Sequence, residues 1–227
     1  MIIAIVVVLI PLWFLFKHKK EPFDNQGMFK YSFFVLVGVE GLMLMTNMDM
    51  FLVKHFFPAL EAGYYAAASM LSKISWFASG ALIAVMFPKI SDSHAKQQDA
   101  SPILKNTLFY TSLISFAVVA IFFVAPTFVT RMLYGSEYLV AKDLIGYLSL
   151  GLAFFALNNV LAMYNFAVNK TGFVYLVLAV LAIEFILIWF VHSTLLEIVK
   201  IVTVSNIALF VSLMWHTRKE FGIKNGA

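Results

Sequence analysis

The sequence predicts an all-α, polytopic membrane helix bundle of about seven transmembrane helices. Three observations lead there. Of the 227 residues, 62% are hydrophobic and only 12% are charged, against roughly 45–50% and about 25% in soluble domains. The apolar residues are gathered into long runs, and a helix rising 1.5 Å per residue crosses a bilayer in about 20 residues. Most charged residues fall between those runs. A water-soluble domain built this way would expose large apolar patches.

The runs occupy roughly residues 1–16, 29–53, 60–88, 104–125, 138–166, 171–192 and 194–216. The first, MIIAIVVVLIPLWFLF, has its positive charges (KHKK) behind it. A secretory signal carries them in front, so this run is read as a span. KHKKEPFDNQGM, with Pro22 and Gly27, is the expected lobe boundary. Residues 1–27 are expected to be the last helix of a preceding lobe plus a cytoplasmic linker, and residues 28–227 a six-helix unit. The second and third runs make a hairpin that turns around Lys54, His55 and Pro58. PKISDSHAKQQDASP separates the third run from the fourth, which Pro126 should end. PTFVTRMLYGSEYL reads as a short interfacial helix and a glycine-bearing loop. The last two runs lie so close that a tight turn is required near His192–Glu197.

Several chemistries are missing. The formal charge of +4 sits at run ends rather than on one face, which does not describe a nucleic-acid binder. Without cysteine there is no disulfide, thiolate nucleophile or thiolate metal site. No P-loop motif is present. His18, His55, His94, His192 and His216 lack paired metal-ligand spacing, so no metal and no cofactor is expected. The loops are too short for a catalytic platform, and the protein is not expected to be an enzyme.

What remains is polar residues inside spans, where a charge costs at least about 2.5 kcal/mol on insertion scales and normally faces protein or a wet cavity. Glu40 and Lys73 lie 17 residues before and 16 after the turn near Phe57, so a straight hairpin puts them at one depth. They are either a structural ion pair or the wall of a cavity in which Lys73 meets an anionic substrate; a snorkelling lysine is the third reading. Ser69, Trp76 and Gly80 share the helical face of Lys73. Asp49 is nine residues from Glu40, about 180° around the helix, and is read as structural or as an ion ligand. Tyr147, Gly151, Asn158, Ala162, Asn165 and Asn169 form one face of the fifth run, either bonding helices together or lining a transport path. Glu184 sits mid-span in the sixth run, as a carrier of a proton or sodium ion or as a buried neutral acid.

The hairpin TNMDMFLVKHFFPALEAGYYAAASMLSKISWFASGALIAVMFPKIS resembles the signature region of the polysaccharide-export (oligosaccharide flippase) proteins of the multidrug/oligosaccharidyl-lipid/polysaccharide exporter superfamily. The resembling features are Asp49 at the end of one helix, AGYY (62–65), LSKIS (71–75) and FPKIS (87–91), with LYGSEY (133–138) later in the chain. The resemblance implies two pseudo-symmetric six-helix lobes working by alternating access, with residues 28–227 as the C-terminal transporter lobe. It implies a transporter that flips polyprenyl-diphosphate-linked oligosaccharide to the outer leaflet. Lys73, Ser69, Trp76, Asn158 and Asn165 are then the candidate substrate-binding residues, and Glu40, Asp49 and Glu184 the candidate ion-coupling residues. Lipid-linked oligosaccharide and membrane lipid are the expected partners, with a monovalent cation or proton as the coupling ion. A drug or cation antiporter of the same superfamily and a membrane-embedded glycan-processing enzyme are the alternatives.

Lysine and arginine placement sets the expected orientation. With the loops at 17–28, 89–103 and 167–170 and the C-terminal tail on one side, eleven lie there, counting Lys30 and Lys105 at the starts of the runs that follow, against four opposite, and the richer side is cytoplasmic. Ser93→Cys should therefore resist a membrane-impermeant thiol reagent in intact cells and react after permeabilisation; labelling from outside would reverse the orientation.

Overall fold

A computed structural model describes residues 25–218 of the chain. The first expected span, most of the linker after it and the end of the basic tail lie outside the described residues. By contacts the chain divides into two compact units, residues 1–33 and 34–227. In order, the elements are α1 (Asn25–Met45), α2 (Met48–Phe56), α3 (Ala59–Ser72), α4 (Ile74–Phe77), α5 (Gly80–Ala95), α6 (Ser101–Val124), α7 (Pro126–Tyr134), a 3-10 helix (Ser136–Ala141), α8 (Lys142–Ala167), α9 (Val174–Phe190) and α10 (Leu195–Thr217). No strand occurs among the described residues. Among the described residues, four helices are long and apolar enough to span a membrane: Gly27–Met45, Ser101–Val124, Ser136–Ala167 and Leu195–Thr217. The helices between Ala59 and Ala95, bent by 41°, make a fifth if taken as one span. The apolar helix α9 is shorter, at 17 residues, or about 25 Å.

Helix ends follow local chemistry. α6 stops at Val124, and Pro126, whose missing N–H costs nothing in a first turn, opens α7. Gly135, at φ +87°, allows the chain to leave α7. Thr194 and Glu197 form a capping box at the start of α10: the Glu197 N–H donates to Thr194 Oγ1 (3.2 Å) and Glu197 Oε2 accepts from the Thr194 N–H (3.2 Å). This is the tight turn the sequence required. α5 runs further than its apolar stretch, through Pro88 to Ala95, with Lys96 bridging back to Asp92 at 2.7 Å.

Two residues in the left-handed region, Gln97 (φ +56°) and Asn169 (φ +58°), end α5 and α8. They let the N–H of Gln98 reach Ser93 O and that of Lys170 reach Asn165 O, each at 2.8 Å, satisfying carbonyls the helix leaves open. Asn169, which spacing put on the polar face of the fifth run, is thus a helix stop. Asp99 then accepts from the Ser101 N–H (2.9 Å) and Oγ–H (2.6 Å) at the start of α6. These bonds hold its carboxyl below the usual carboxylate range.

α8 is the hub. Nineteen of its 26 residues are buried, as expected of a helix apolar all round, and α3, α4, α5, α6, α7 and α10 all pack on it. The core around it falls into two clusters. One gathers Met45, Met86, Leu104, Leu152, Phe155, Val177 and Leu209; the other gathers Leu52, Tyr65, Leu71, Phe122, Leu148, Ile188 and Val202. Between the clusters each contributing helix carries polar residues: Thr46 and Asn47, Ser72 to Ser75, Thr111 and Ser115, Ser149, Glu184, Ser205 and Asn206. Outward-facing Leu36, Met43, Phe109, Leu113, Ile183 and Val204 are exposed, which suits a surface that meets lipid.

α8 and α10 pack tightly at Gly151, where an added Cβ would lie 3.1 Å from Thr203 Cα. Gly151→Ala would gain about 1 kcal/mol of helix propensity and lose about 1–3 kcal/mol to overpacking against backbone. It should lower the thermal unfolding temperature in detergent. Gly63→Ala, where a Cβ meets nothing within 4 Å, should leave it unchanged or raise it.

Candidate functional site

The third expected span is interrupted at Lys73 and again at Ala78–Ser79, giving α3, α4 and α5. Interrupting a helix inside an apolar bundle requires other groups to take up its freed carbonyls. Serine hydroxyls do this at Ser72 O and Ser75 O, whose helical N–H partners turn instead to Lys73 O and Trp76 O. Ser72 Oγ donates to Ala68 O (2.7 Å) and lies 3.2 Å from Ile145 O of α8. Ser75 Oγ donates to Ser72 O (2.6 Å) and lies 3.1 Å from Ser149 O. Ser115 Oγ of α6 donates to Ser75 O (2.7 Å), and Ser79 Oγ to Trp76 O (2.9 Å).

Lys73 stands half-buried at this break, and its Nζ donates to Asn47 Oδ1 at 3.0 Å. Asn47 occupies a second break, between α1 and α2. Its amide nitrogen donates to Met43 O (2.8 Å) and Thr46 Oγ1 (3.0 Å), which leaves the amide oxygen aimed at Lys73. The expected pairing of Glu40 with Lys73 does not form. α1 turns Gly38 toward Phe166 and Val174, and Gly41 toward Val177, so Glu40, two residues from one and one from the other, is carried to an exposed face. Equal depth on two straight helices was the premise, and both helices are broken. Ser69 is buried one turn before Lys73. Trp76 packs edge-on against Phe155 (5.1 Å) and stacks on Phe77 (4.7 Å).

A second polar group lies where α2, α3, α9 and α10 meet. Asp49 is 3% exposed, and Tyr65 donates its O–H to Asp49 Oδ2 at 2.5 Å. The N–H groups of Asp49 and Met50 lie near the carboxylate, but Oδ1 has no aligned donor. Glu184 is fully enclosed, and neither of its oxygens has an aligned donor among the described residues. Ser205 faces it from α10, outside hydrogen-bond geometry, and Asp49 is near enough to act on it coulombically. Of the three candidate ion-coupling residues, the structure brings Asp49 and Glu184 together and leaves Glu40 apart. Among the described residues, no cluster of three or more histidine and acidic side chains gathers to hold a metal.

The asparagine face of the fifth run is the seam between α8 and α10. Asn158 Nδ2 donates to Asn206 O (2.9 Å). Asn165 Nδ2 donates to Leu161 O (2.8 Å) and Thr217 Oγ1 (3.0 Å). Thr203 Oγ1 donates to Val199 O (2.8 Å) and lies 2.9 Å from Tyr147 O. Asn158 and Asn165 are enclosed, bonding helix to helix, while Tyr147 at the outer end of the face is exposed.

Sequence reasoning missed Asn47, Tyr65 and Ser205. Tyr65 had a signal: it lies 16 residues beyond Asp49 across a short turn, close enough to face it from the next helix.

Tyr65→Phe leaves Asp49 Oδ2 without its donor, a loss of about 1.5–3 kcal/mol for a bond to a charged group. The same substitution in an Asp49→Asn background should cost clearly less. Unfolding of the two single variants and the double variant measures that coupling.

The model of a family described as "Polysaccharide biosynthesis protein" matches residues 1–143. Nothing matches among curated proteins or among solved structures.

Proposed function

Because the chain belongs to the polysaccharide biosynthesis protein family, we propose that it transports lipid-linked oligosaccharide across the membrane. In this reading it moves a polyprenyl-diphosphate-linked glycan to the outer leaflet by alternating access, makes and breaks no covalent bond, and keeps its C-terminus in the cytoplasm. The matched stretch takes in α1 to α7, and with it both helix breaks and Lys73.

The observation that carries the reading is the state of Lys73. Its ammonium stands half-buried between two broken apolar helices and bonds a neutral amide. Among the described residues, no carboxylate lies within ion-pairing distance of it. A buried ion pair would already be neutralised. A cation held by an amide keeps its charge available for an incoming diphosphate, which it can meet as a point charge with three donors. Ser69 adds a hydroxyl on the same face.

A fluorescent lipid-diphosphate oligosaccharide in proteoliposomes tests this. Wild-type protein should carry it between leaflets unchanged. Lys73→Gln should slow transport about 10-fold or more, the equivalent of one charged hydrogen bond, and Lys73→Arg should retain part of the rate. Parental transport by Lys73→Gln would remove the assigned role, and conversion of the lipid-linked sugar into another product would point to an enzyme.

A further inference from the structure

α9 offers the bundle one narrow stripe: Val174, Val177, Glu184 and Ile188 are its buried residues. Steps of three, seven and four keep them on one helical face, so a carboxyl occupies a place where an aliphatic side chain would be expected. An ionised carboxylate there, with no aligned donor on either oxygen, costs several kcal/mol.

Every element packed on this stripe fails to offset such a charge: α1 meets Val174 and Val177 with Gly38 and Gly41, and its Glu40 is exposed and of the same sign. α2 brings Asp49, of the same sign. α3 brings the Tyr65 hydroxyl, which is given to Asp49. α10 brings only the Ser205 hydroxyl. Lys73 is bonded to Asn47 and reaches Asp49 only over distance. At their outer ends α2 and α9 bring His55 and His192, whose rings are stacked on Trp189 (6.0 Å) and Phe56 (3.8 Å) respectively.

The two carboxyls are not equivalent. Tyr65 donates to Asp49 Oδ2, whereas neither oxygen of Glu184 has an aligned donor, so Glu184 is the member less able to carry charge. Like carboxylates sharing an apolar site do not both ionise, and Glu184 is the one left to hold a proton.

We propose that Glu184 is a proton-binding site, and that its proton is what allows α9 to stay packed against α2 and α10. Release of the proton to water sets Glu184 and Asp49 against each other. Because the reciprocal ring stacks pin the outer ends of the two helices, the repulsion swings the inner part of α9 away from α2. This holds whatever substrate the protein carries, and its test involves no transport.

The full chain in lipid vesicles, studied by infrared spectroscopy at neutral pH, should show the C=O band of a protonated carboxyl. The band should be lost in Glu184→Gln and kept in Asp49→Asn and in the exposed control Glu40→Gln. Raising the pH should abolish the band in wild-type protein and lower its unfolding temperature. Glu184→Gln, a mimic of the protonated acid, should unfold at or above the wild-type temperature at neutral pH and show no such decline.

The wild-type measurement needs no variant to fold: absence of a protonated-carboxyl band at neutral pH overturns the proposal. So does a band that persists in Glu184→Gln. A band that appears only when sodium is replaced by a bulky organic cation would make this a metal-cation site, and would equally overturn it.

Discussion

In an apolar bundle every backbone carbonyl released by a helix break must find a donor inside the protein, and the architecture here is arranged around that constraint. The breaks at Thr46–Asn47 and at Lys73 lie in one polar layer between two apolar clusters. The hydroxyls of Ser75 and Ser115 take up the two carbonyls released there, Ser72 O and Ser75 O. α8 supplies the surface that holds them, with Ile145 O and Ser149 O facing Ser72 and Ser75. Lys73 itself keeps helical backbone geometry, its N–H bonded to Ser69 O and its carbonyl accepting from the Phe77 N–H, while Asn47 at the first break turns its amide oxygen to the ammonium.

Much of this was legible in the sequence, for reasons that also mark where reading had to stop. The runs at 104–125, 138–166 and 194–216 correspond to α6, α8 and α10 within a few residues, because long apolar stretches have few alternatives to helix. Pro126 and the Thr194–Glu197 cap act within a few residues and could be read directly. The breaks could not. Serine and asparagine mid-helix are compatible with an unbroken helix when their side chains bond to their own turn, and only the carbonyls of α8 and the hydroxyl of α6 decide otherwise. Equal counting from Phe57 therefore paired Lys73 with Glu40, when the partner is Asn47.

The acids show the same division. Asp49 and Glu184 each stood out as ionisable groups within spans, but nothing in their spacing joins them. They meet because α9 lies against α2, a contact between helices at opposite ends of the hairpin-to-tail order. Asn158 and Asn165 share one face while Asn169 ends the helix, and what that face meets is α10, packed close at Gly151. α8 and α10 are thereby tied by side-chain bonds along most of their length, whereas α9 meets the core through a single stripe. Rigidity is unevenly distributed in this bundle, and the ionisable groups lie on its looser side.

The 41° bend between α3–α4 and α5 has a mechanical meaning. α5 is 16 residues long, so it is an arm of about 24 Å hinged at Ala78–Ser79, between Phe77 and Gly80. Opening the hinge by about 10° sweeps the far end of that arm through about 4 Å, most of a helical turn. Lys73 lies on the other side of the hinge, bonded to Asn47, and does not ride on the arm. The fold thus separates displacement from charge: the far end of α5 can swing widely while the ammonium keeps its station.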